Sequence, residues 1–397
     1  MTSTRTWAGW VSLLVLTTAC GGDPEERARE ASDSGAGGTG STTGGSAGAA
    51  GSASAGGSAG AAPGECTGDA SAKLVHFDDF DDEALHEDRW NAKNCIWDAH
   101  SSLDTCPKPS TLRARSGSRS LRTALTYHDG TTGVDSWYHK KDNPSDDHTH
   151  RSELSIKSWS GFDPSQLKLG DEQWYGFSMY LPGKGDANAD PALSLSVRHS
   201  YLIPWQLHDV PDPGEISRNP PLAFSLYGVP KEPLPAFPDT EGKAPGAQTS
   251  PPSIPPTHWL WWTLNDSQAI QTDREYDGSH HFYAGKWANE LGTWVDWVVR
   301  YKPNHTSEGI LEIWRNGTKV ASYFGPNSFN DQAAPYLKIG QYSGRLTLGT
   351  PVPADWPEQT VVYLDSHKLA LAPANPSTPA DTDNCAYRLV APQGTPH

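Results

Sequence analysis

Short apolar stretches, separated by turn residues, recur along most of the chain. Residues 174–181 and 294–301 are clear examples, because they are rich in aromatic and β-branched side chains. Residues 310–314 and 319–324 form a further pair, and Asn316-Gly317 between them is a strong hairpin signal. No long stretch has the 3.6-residue period of an amphipathic helix. The pattern predicts an all-β protein, built as a sandwich or jelly roll.

Three of the predicted strands alternate between polar and apolar residues. They cover residues 151–156, 205–208 and 336–342. Because successive side chains of a strand point to opposite faces, the polar residues of each segment share the face away from the core. Pooled onto one sheet, the strands would supply a cation, an amide, an imidazole, an ammonium group and phenols. These polar residues include Arg151, Glu153, Gln206, His208, Tyr336, Lys338 and Tyr342.

Residues 211–256 break the strand pattern, because 13 of these 46 residues are proline. Proline fixes one backbone angle and lacks a hydrogen-bond donor, so this segment is a poor candidate for sheet. We expect a long proline-rich insertion or lid, which is either a plain surface loop or a wall of the binding cleft.

The N-terminus has the features of an export signal. An apolar run of 13 residues follows Arg5 and is too short to span a membrane as a helix. The run ends in Thr-Thr-Ala-Cys, which resembles a bacterial lipoprotein cleavage box with Thr17 in place of the usual Leu. Residues 1–20 would then be a signal peptide and Cys20 the lipidated first residue. The alternative is ordinary secretion, with Cys20 in the removed peptide.

A linker is predicted between this signal and the folded domain. Residues 21–64 consist mostly of Gly, Ala, Ser and Thr, and they cannot bury enough apolar surface to fold. The folded domain would then cover residues 65–397, held away from the membrane surface by a flexible tether.

The cysteines outside the signal agree with export. Cys66, Cys95, Cys106 and Cys385 are an even number, which predicts two disulfides. Of the three connectivities we favour Cys95 with Cys106 and Cys66 with Cys385. No pair has the close spacing of a structural zinc site.

The charge of the chain limits its partners. The 31 Lys+Arg and 47 Asp+Glu residues give a net charge of −16, which argues against a nucleic-acid-binding protein. An anionic ligand would have to be bound by a local group of basic residues.

The three polar-faced strands carry segments that resemble the signatures of a known family. These segments are R-S-E-L at residues 151–154, Q-L-H at residues 206–208 and Y-L-K-I-G-Q-Y at residues 336–342. In this order they resemble the β-jelly-roll polysaccharide lyases, which include alginate lyases, glucuronan lyases and heparin lyase I. The resemblance covers most of residues 73–371.

The flanking segments indicate a branch of this family. Residues 174–182 and 311–317 look more like heparin lyase I and the glucuronan lyases. Ser343-Gly344 stands where alginate lyases usually have Asn-Gln, which lowers the expectation of alginate as the substrate.

The resemblance implies a concanavalin-like jelly roll that cleaves a uronate-containing polysaccharide by β-elimination. The C5 proton is weakly acidic, so the adjacent carboxylate must be neutralised, and Arg151 and Gln206 suit this role. Tyr342 is implied as the acid that protonates the departing O4, with either His208 or Tyr342 itself as the base. This chemistry requires no metal or other cofactor.

The other polar residues of these strands are assigned to substrate binding. Lys338 lies four residues from the predicted acid, about 13 Å along an extended strand unless Gly340 kinks it. We therefore assign Lys338, together with Tyr336, to a neighbouring sugar subsite. We expect Glu153 to hold the side chain of Arg151 in place.

The acidic residues Asp78-Asp79 and Asp81-Asp82 most simply form a solvated turn. One of them, together with Asp365, would also suit a structural calcium ion, since oxygen ligands are what that ion prefers.

Two other classes of function were weighed against a lyase. A non-catalytic carbohydrate-binding jelly-roll lipoprotein would have no use for the phenol of Tyr342 beside the imidazole of His208. A glycoside hydrolase of similar fold would need a carboxylate pair, and the sequence has no E-x-D-x-x-E strand. We therefore expect a monomeric, exported polysaccharide lyase, attached to the bacterial cell envelope by a lipid anchor or else secreted.

Overall fold

The computed structural model describes residues 72–92, 107–126, 148–184, 190, 201–215, 218–227, 259–266, 278–346, 359–373 and 380–392. The strands are β1 (Lys73–Asp78), β2 (Trp90–Asn91), β3 (Lys108–Ser110), β4 (Ser120–Thr126), β5 (His148–Ile156), β6 (Glu172–Tyr180), β7 (Tyr201–His208), β8 (Leu222–Tyr227), β9 (Trp259–Asp266), β10 (Gly278–Lys286), β11 (Trp294–Lys302), β12 (Ile310–Arg315), β13 (Thr318–Phe324), β14 (Tyr336–Leu346) and β15 (Gln359–Ala372). One α-helix, α1 (Cys385–Val390), follows β15.

The strands form two antiparallel sheets. The eight-stranded sheet has the order β13-β12-β11-β6-β15-β4-β3, and β1 also pairs with β15. The seven-stranded sheet has the order β10-β9-β8-β7-β14-β5-β2. The predicted all-β jelly roll is confirmed.

The main core lies between the two sheets and is rich in aromatic residues. Trp205 of β7 is fully buried, and its ring centroid lies 5.4 Å from that of Tyr175 and 5.7 Å from that of Phe177, both on β6. Phe224 of β8 contacts Trp297 of β11 at 4.7 Å. Aromatic pairs of this kind contribute about 0.5 to 1.5 kcal/mol each beyond the area that they bury. The apolar residues of both predicted sheet faces therefore hold the sheets together.

The hairpin between β12 and β13 turns at the predicted residues. Asn316 and Gly317 have φ angles of 47° and 77°, so both lie in the left-handed region that a two-residue hairpin turn requires. The predicted strands at 174–181 and 294–301 correspond to β6 and β11 with shifts of at most two residues.

The prediction that residues 211–256 hold no sheet is wrong in part. β8 lies within this segment and pairs with β7 and β9. The nearest prolines, Pro220 and Pro221, lie just before β8 and not within it. Every second residue of the strand belongs to the main core: Leu222, Phe224 and Leu226. Period-two alternation therefore outweighs the local proline content. Residues 228–256 lie outside the described part of the chain.

Helix α1 was not predicted, because six residues are too few to show a helical period. Asn384 caps it by accepting a hydrogen bond from the backbone N–H of Ala386 at 2.9 Å. The helix packs on the outer face of the eight-stranded sheet, where a Cβ on Gly176 would lie 1.9 Å from the carbonyl oxygen of Val390. Cys385 in its first turn is disulfide-bonded. Cys66, Cys95 and Cys106 lie outside the described residues, so the connectivity stays a prediction.

Strands β1 and β15 bring two histidines into the interior. His76 and His367 are at most 1% exposed, and the ring of each packs edge-on against that of Trp90, at 5.0 and 5.3 Å. None of their four ring nitrogens has a hydrogen-bond partner. Burial lowers the pKa of His76 to about 4 and holds the pKa of His367 well below its usual value. Both imidazoles are therefore neutral at physiological pH.

No helix within the described ranges is long and apolar enough to cross a membrane. The predicted signal peptide and linker, residues 1–64, lie outside those ranges.

Candidate active site

The three polar-faced strands are neighbours in the seven-stranded sheet. β14 lies between β5 and β7 and is antiparallel to both. The structure therefore brings the three motifs together on one sheet. The register pairs Tyr342 with Arg151 on the β5 side, and Lys338 with Gln206 and Tyr336 with His208 on the β7 side.

The two faces of these strands differ as the alternation predicts. The main core contains Leu154, Ile156, Trp205, Leu207, Leu337 and Ile339. On the opposite face, Tyr342 packs with Ile203 and Ala223 in a small cluster separate from that core. We call the residues of this opposite face the polar track: Glu153, Gln206, His208, Tyr336, Lys338 and Tyr342. The backbone of Arg151 lies in register with the track, and its side chain is outside the described part of the structure.

Gly340 kinks β14 between the two ends of the track. The register of β14 against β7 slips between Ile339 and Tyr342, which marks a bulge. Gly340 has a φ angle of 133°, and a Cβ there would lie 2.1 Å from the carbonyl oxygen of Ser152 on β5. Only glycine fits this position. The bulge shifts the register of β14 against β7 by one residue, while the register against β5 is unbroken from Lys338 to Gly344.

Gln341, between the kink and Tyr342, points the other way and fastens the two sheets together. Its amide Nε2 donates to the carbonyl oxygen of Thr123 on β4 at 2.7 Å. Its Oε1 accepts from the hydroxyl of Thr360 on β15 at 2.8 Å. Sequence reasoning missed this role, although the alternation of β14 does place Gln341 on the core side.

Gln206 and Glu153 form a hydrogen bond across β14. Nε2 of Gln206 donates to Oε1 of Glu153 at 2.5 Å, and the two side chains are 3% and 1% exposed. Glu153 was expected to hold the side chain of Arg151, which lies outside the described part of the structure. The partner that the structure shows for Glu153 is Gln206, whose amide it holds in place over Gly340.

His208 contacts Asp209 and Tyr336. Its Nδ1 lies 3.1 Å from the carbonyl oxygen of Asp209 and 3.0 Å from the carboxylate Oδ1 of the same residue. Its ring centroid lies 5.5 Å from that of Tyr336, and the ammonium group of Lys338 lies 5.2 Å from the Tyr336 ring.

The phenol of Tyr342 was expected beside the imidazole of His208, and that contact stays a prediction. The phenol ring in contact with the imidazole is that of Tyr336. Tyr342 pairs with Ile203, five residues before His208 on β7, which corresponds to about 16 Å along the strand. Both side chains lie on the same face, and they can meet only by reaching toward one another along the track.

A family model described as polysaccharide lyase matches residues 96–368 of this chain. The match covers more than half of the sequence and includes all three motif strands. The chain is a member of the polysaccharide lyase family. It is therefore a polysaccharide lyase of jelly-roll fold.

Solved structures similar to this lyase include two kinds of enzyme. The endo-β-1,4-glucuronan lyase of the fungus Trichoderma reesei is 16% identical with a TM-score of 0.42, over 66% of this chain and 85% of that chain. Alginate lyase Aly36B is 12% identical with a TM-score of 0.37, over 78% and 99%. Alginate lyase PA1167 of Pseudomonas aeruginosa is 11% identical with a TM-score of 0.34, over 68% and 87%. A comparison with curated protein sequences gave no match.

Beyond His208, the lyase buries an ionic cluster that sequence reasoning missed. Arg218 is fully buried and donates to Oδ2 of Asp209 from its backbone N–H at 3.2 Å and from Nε at 3.3 Å. Its guanidinium also binds Asp331 and lies 3.5 Å from Glu215. Burial is the main cause that raises the pKa of Asp331 to about 8, and the guanidinium of Arg218 opposes this rise.

Two of the acidic residues considered for calcium, Asp81 and Asp365, accept hydrogen bonds from backbone amides, and the calcium site stays a prediction. Oδ1 of Asp81 accepts from the N–H groups of Ser118 and Arg119, at 2.6 and 2.9 Å. Oδ2 of Asp365 accepts from the N–H groups of Arg115 and Ser116, at 2.6 and 3.2 Å. These bonds hold the loop between β3 and β4. Across the ranges that the structure covers, no three His, Cys, Asp or Glu side chains are grouped to hold a metal ion.

Proposed function

We propose that this polysaccharide lyase cleaves a uronate-containing polysaccharide by β-elimination on the polar track. The observation that carries the proposal is the strand register. In this register Gln206, His208 and Tyr342 belong to the polar track, and the backbone of Arg151 pairs with that of Tyr342, in a chain of this family. A cation, an amide, an imidazole and a phenol are the groups that such an elimination uses.

Neutralising the uronate carboxylate is the first requirement. We assign it to Arg151 and Gln206, since charge-assisted hydrogen bonds from both would stabilise the developing enolate. One amide N–H of Gln206 is engaged by Glu153, and the second N–H remains for the substrate. Glu153 thus acts by orienting Gln206.

For the proton transfers we assign His208 as the base and Tyr342 as the acid. The carbonyl of Asp209 holds the N–H at Nδ1 of His208, so Nε2 carries the lone pair that takes the C5 proton. The electrons of the C5–H bond form the C4=C5 double bond, the C4–O4 bond breaks, and the phenol of Tyr342 protonates O4. Two side chains that reach toward one another along the track leave space for a sugar ring between them.

A neighbouring sugar would contact the His208 end of the track. Tyr336 is partly exposed there and offers an aromatic surface, while Lys338 supplies the positive charge for a second carboxylate. This assignment keeps Lys338 and Tyr336 in substrate binding.

We propose an unsulfated polyuronate, such as glucuronan, as the preferred substrate. Among the described side chains of the track, Lys338 is the one cation, and Lys157 at the end of β5 donates to the carbonyl of Glu87 instead. With a net charge of −16, this supply suits one carboxylate per sugar better than dense sulfation. We further propose export as a monomer, with Cys20 as the site of the lipid anchor.

The test is a substrate screen with the full chain, read by the ultraviolet absorbance of the unsaturated uronate product. Glucuronan, alginate and heparin are compared at equal sugar concentration and moderate salt, with heat-denatured protein as the control. We expect absorbance to rise, fastest with glucuronan. Faster cleavage of heparin would contradict the substrate assignment alone. Binding of all three polymers without product would favour the non-catalytic carbohydrate-binding alternative, and new reducing ends without absorbance would favour hydrolysis.

A further inference from the structure

The side chain of Asp209 touches the imidazole of His208 at the nitrogen that faces away from the proposed reaction. Nδ1 of His208 is within 3.1 Å of two oxygens of Asp209, the backbone carbonyl and carboxylate Oδ1. Both oxygens can only accept a hydrogen bond, and among the described residues Oδ1, at 3.0 Å, has no hydrogen-bond donor of its own. A negative charge therefore lies against the Nδ1 edge of the ring.

The carboxylate of Asp209 is fixed by a buried arginine. Both donors of Arg218 to Asp209 meet the same oxygen, Oδ2, so that Oδ1 is left facing the imidazole. Arg218 is itself held by Asp331 and by the ring of Phe329, 4.2 Å from its guanidinium carbon. Arg218 thus fixes the carboxylate of Asp209 in one orientation.

We propose that Asp209 is a positioning residue that keeps His208 in the tautomer with its proton on Nδ1, and that Arg218 fixes Asp209 for this purpose. The inference rests on the proposed role of His208 as the base. A proton on Nδ1 leaves Nε2 free to accept the C5 proton, whereas a proton on Nε2 would block it. The carboxylate also stabilises the imidazolium that forms when the C5 proton arrives.

Replacing the side chain of Asp209 distinguishes the effect of its carboxylate from that of its backbone carbonyl. In Asp209→Asn, the donors of Arg218 draw the amide oxygen to the Oδ2 position, and the amide NH2 then replaces Oδ1 beside Nδ1. An N–H donor at that point favours a lone pair on Nδ1 and moves the ring proton to Nε2. If the backbone carbonyl alone set the tautomer, Asp209→Asn would leave the tautomer of His208 unchanged.

Other charged groups near the imidazole do not replace this effect. The ammonium group of Lys338 lies over the ring of Tyr336, 5.2 Å from its centroid. Among the described residues, the carboxyl groups of Glu215 and Asp331 contact Arg218 and not the imidazole. Among the described side chains, the carboxylate of Asp209 is thus the charged group in direct contact with the ring.

The first experiment measures the tautomer and needs no substrate. The full chain is labelled with ¹⁵N-histidine, and the signals of His208 are assigned as those lost in His208→Gln. We expect the wild type to carry its proton on Nδ1 and Asp209→Asn to show a large population with the proton on Nε2. A wild type with its proton on Nε2 overturns the proposal even where the variant fails to fold.

The second experiment measures catalysis on the substrate that the screen identifies. We expect Asp209→Asn to lower kcat about 10- to 100-fold, while KM changes less than about threefold, because Asp209 contacts His208 and not the sugar. Asp209→Glu, which retains the carboxylate, should recover part of the rate. The matched control is Asp296→Asn, since Asp296 is also bound by an arginine, Arg115, but lies on β11 in the other sheet. It should leave the tautomer and kcat unchanged.

The two experiments separate this inference from the proposed function. An Asp209→Asn variant that keeps the Nδ1 proton, or that keeps the wild-type kcat, overturns the positioning role. If no uronate polymer is cleaved, the proposed function fails, and the tautomer measurement still decides what Asp209 does to His208.

Discussion

Replacing Gln341 by leucine should destabilise the lyase strongly, although the residue never meets the substrate. The side chain is fully buried and joins β14 to β4 and β15 by hydrogen bonds to Thr123 and Thr360. Leucine is close in size but can replace none of these bonds. The hydroxyl of Thr360 would lose its acceptor, and the carbonyl of Thr123 would lose a donor at 2.7 Å.

The expected loss follows from the cost of buried polar groups without partners. Each such group costs about 1 to 3 kcal/mol, and leucine regains about 1 kcal/mol or more by its apolar burial. We therefore expect the free energy of unfolding to fall by about 2 to 4 kcal/mol. The assay is urea denaturation of the full chain followed by tryptophan fluorescence.

The control for this change is Gln332→Leu, because Gln332 is an exposed glutamine in the loop before β14. It should change the free energy of unfolding by less than about 0.5 kcal/mol. Equal stability of Gln341→Leu and wild type would refute the claim that this amide fastens the two sheets together.

The other predictions concern the kink in β14 and the response to acid. Gly340→Ala should lower the free energy of unfolding by about 2 to 4 kcal/mol and also lower kcat, because the added Cβ would overlap the carbonyl of Ser152. The control is Gly161→Ala, where φ is 82° and the added Cβ would meet open space. It should lower the free energy of unfolding by about 1 kcal/mol in the same denaturation assay. Folding lowers the pKa values of His76 and His367. Below about pH 6.5 the unfolded chain therefore binds more protons than the folded protein, and the free energy of unfolding should fall as the pH drops from about 6.5 toward 4. Melting temperatures should show this decline, and His76→Phe should reduce it; an unchanged decline would contradict the role of His76.

Local patterns predicted the strands and the composition of the polar track. Alternation along β5, β7 and β14 was enough to separate the core residues from the polar ones, because each strand packs one face on the other sheet. The turn at Asn316-Gly317 was also predictable, because these two residue types favour the positive φ angles that a two-residue hairpin turn requires.

What the sequence could not predict depends on residues far apart in the chain. The bond from Gln341 to Thr123 spans 218 residues, and that from Arg218 to Asp331 spans 113. The register also decides which phenol meets His208, since Tyr336 pairs with His208 while Tyr342, shifted by one residue at the bulge, pairs with Ile203. Motif spacing alone does not reveal a register shift of this kind.

The most direct test of the catalytic assignment is Tyr342→Phe, which removes one oxygen atom and keeps the ring that packs with Ile203 and Ala223. Turnover of the preferred polyuronate is followed by absorbance of the unsaturated product, and oligosaccharide binding by calorimetry. Tyr301→Phe is the matched control, because it removes the same atom from a buried tyrosine in the other sheet, where the hydroxyl donates to the carbonyl of Asn327. We expect Tyr342→Phe to lose activity by about 100-fold or more with its affinity largely retained, while Tyr301→Phe keeps its turnover. Near-wild-type turnover by Tyr342→Phe would contradict the assignment of Tyr342 as the acid.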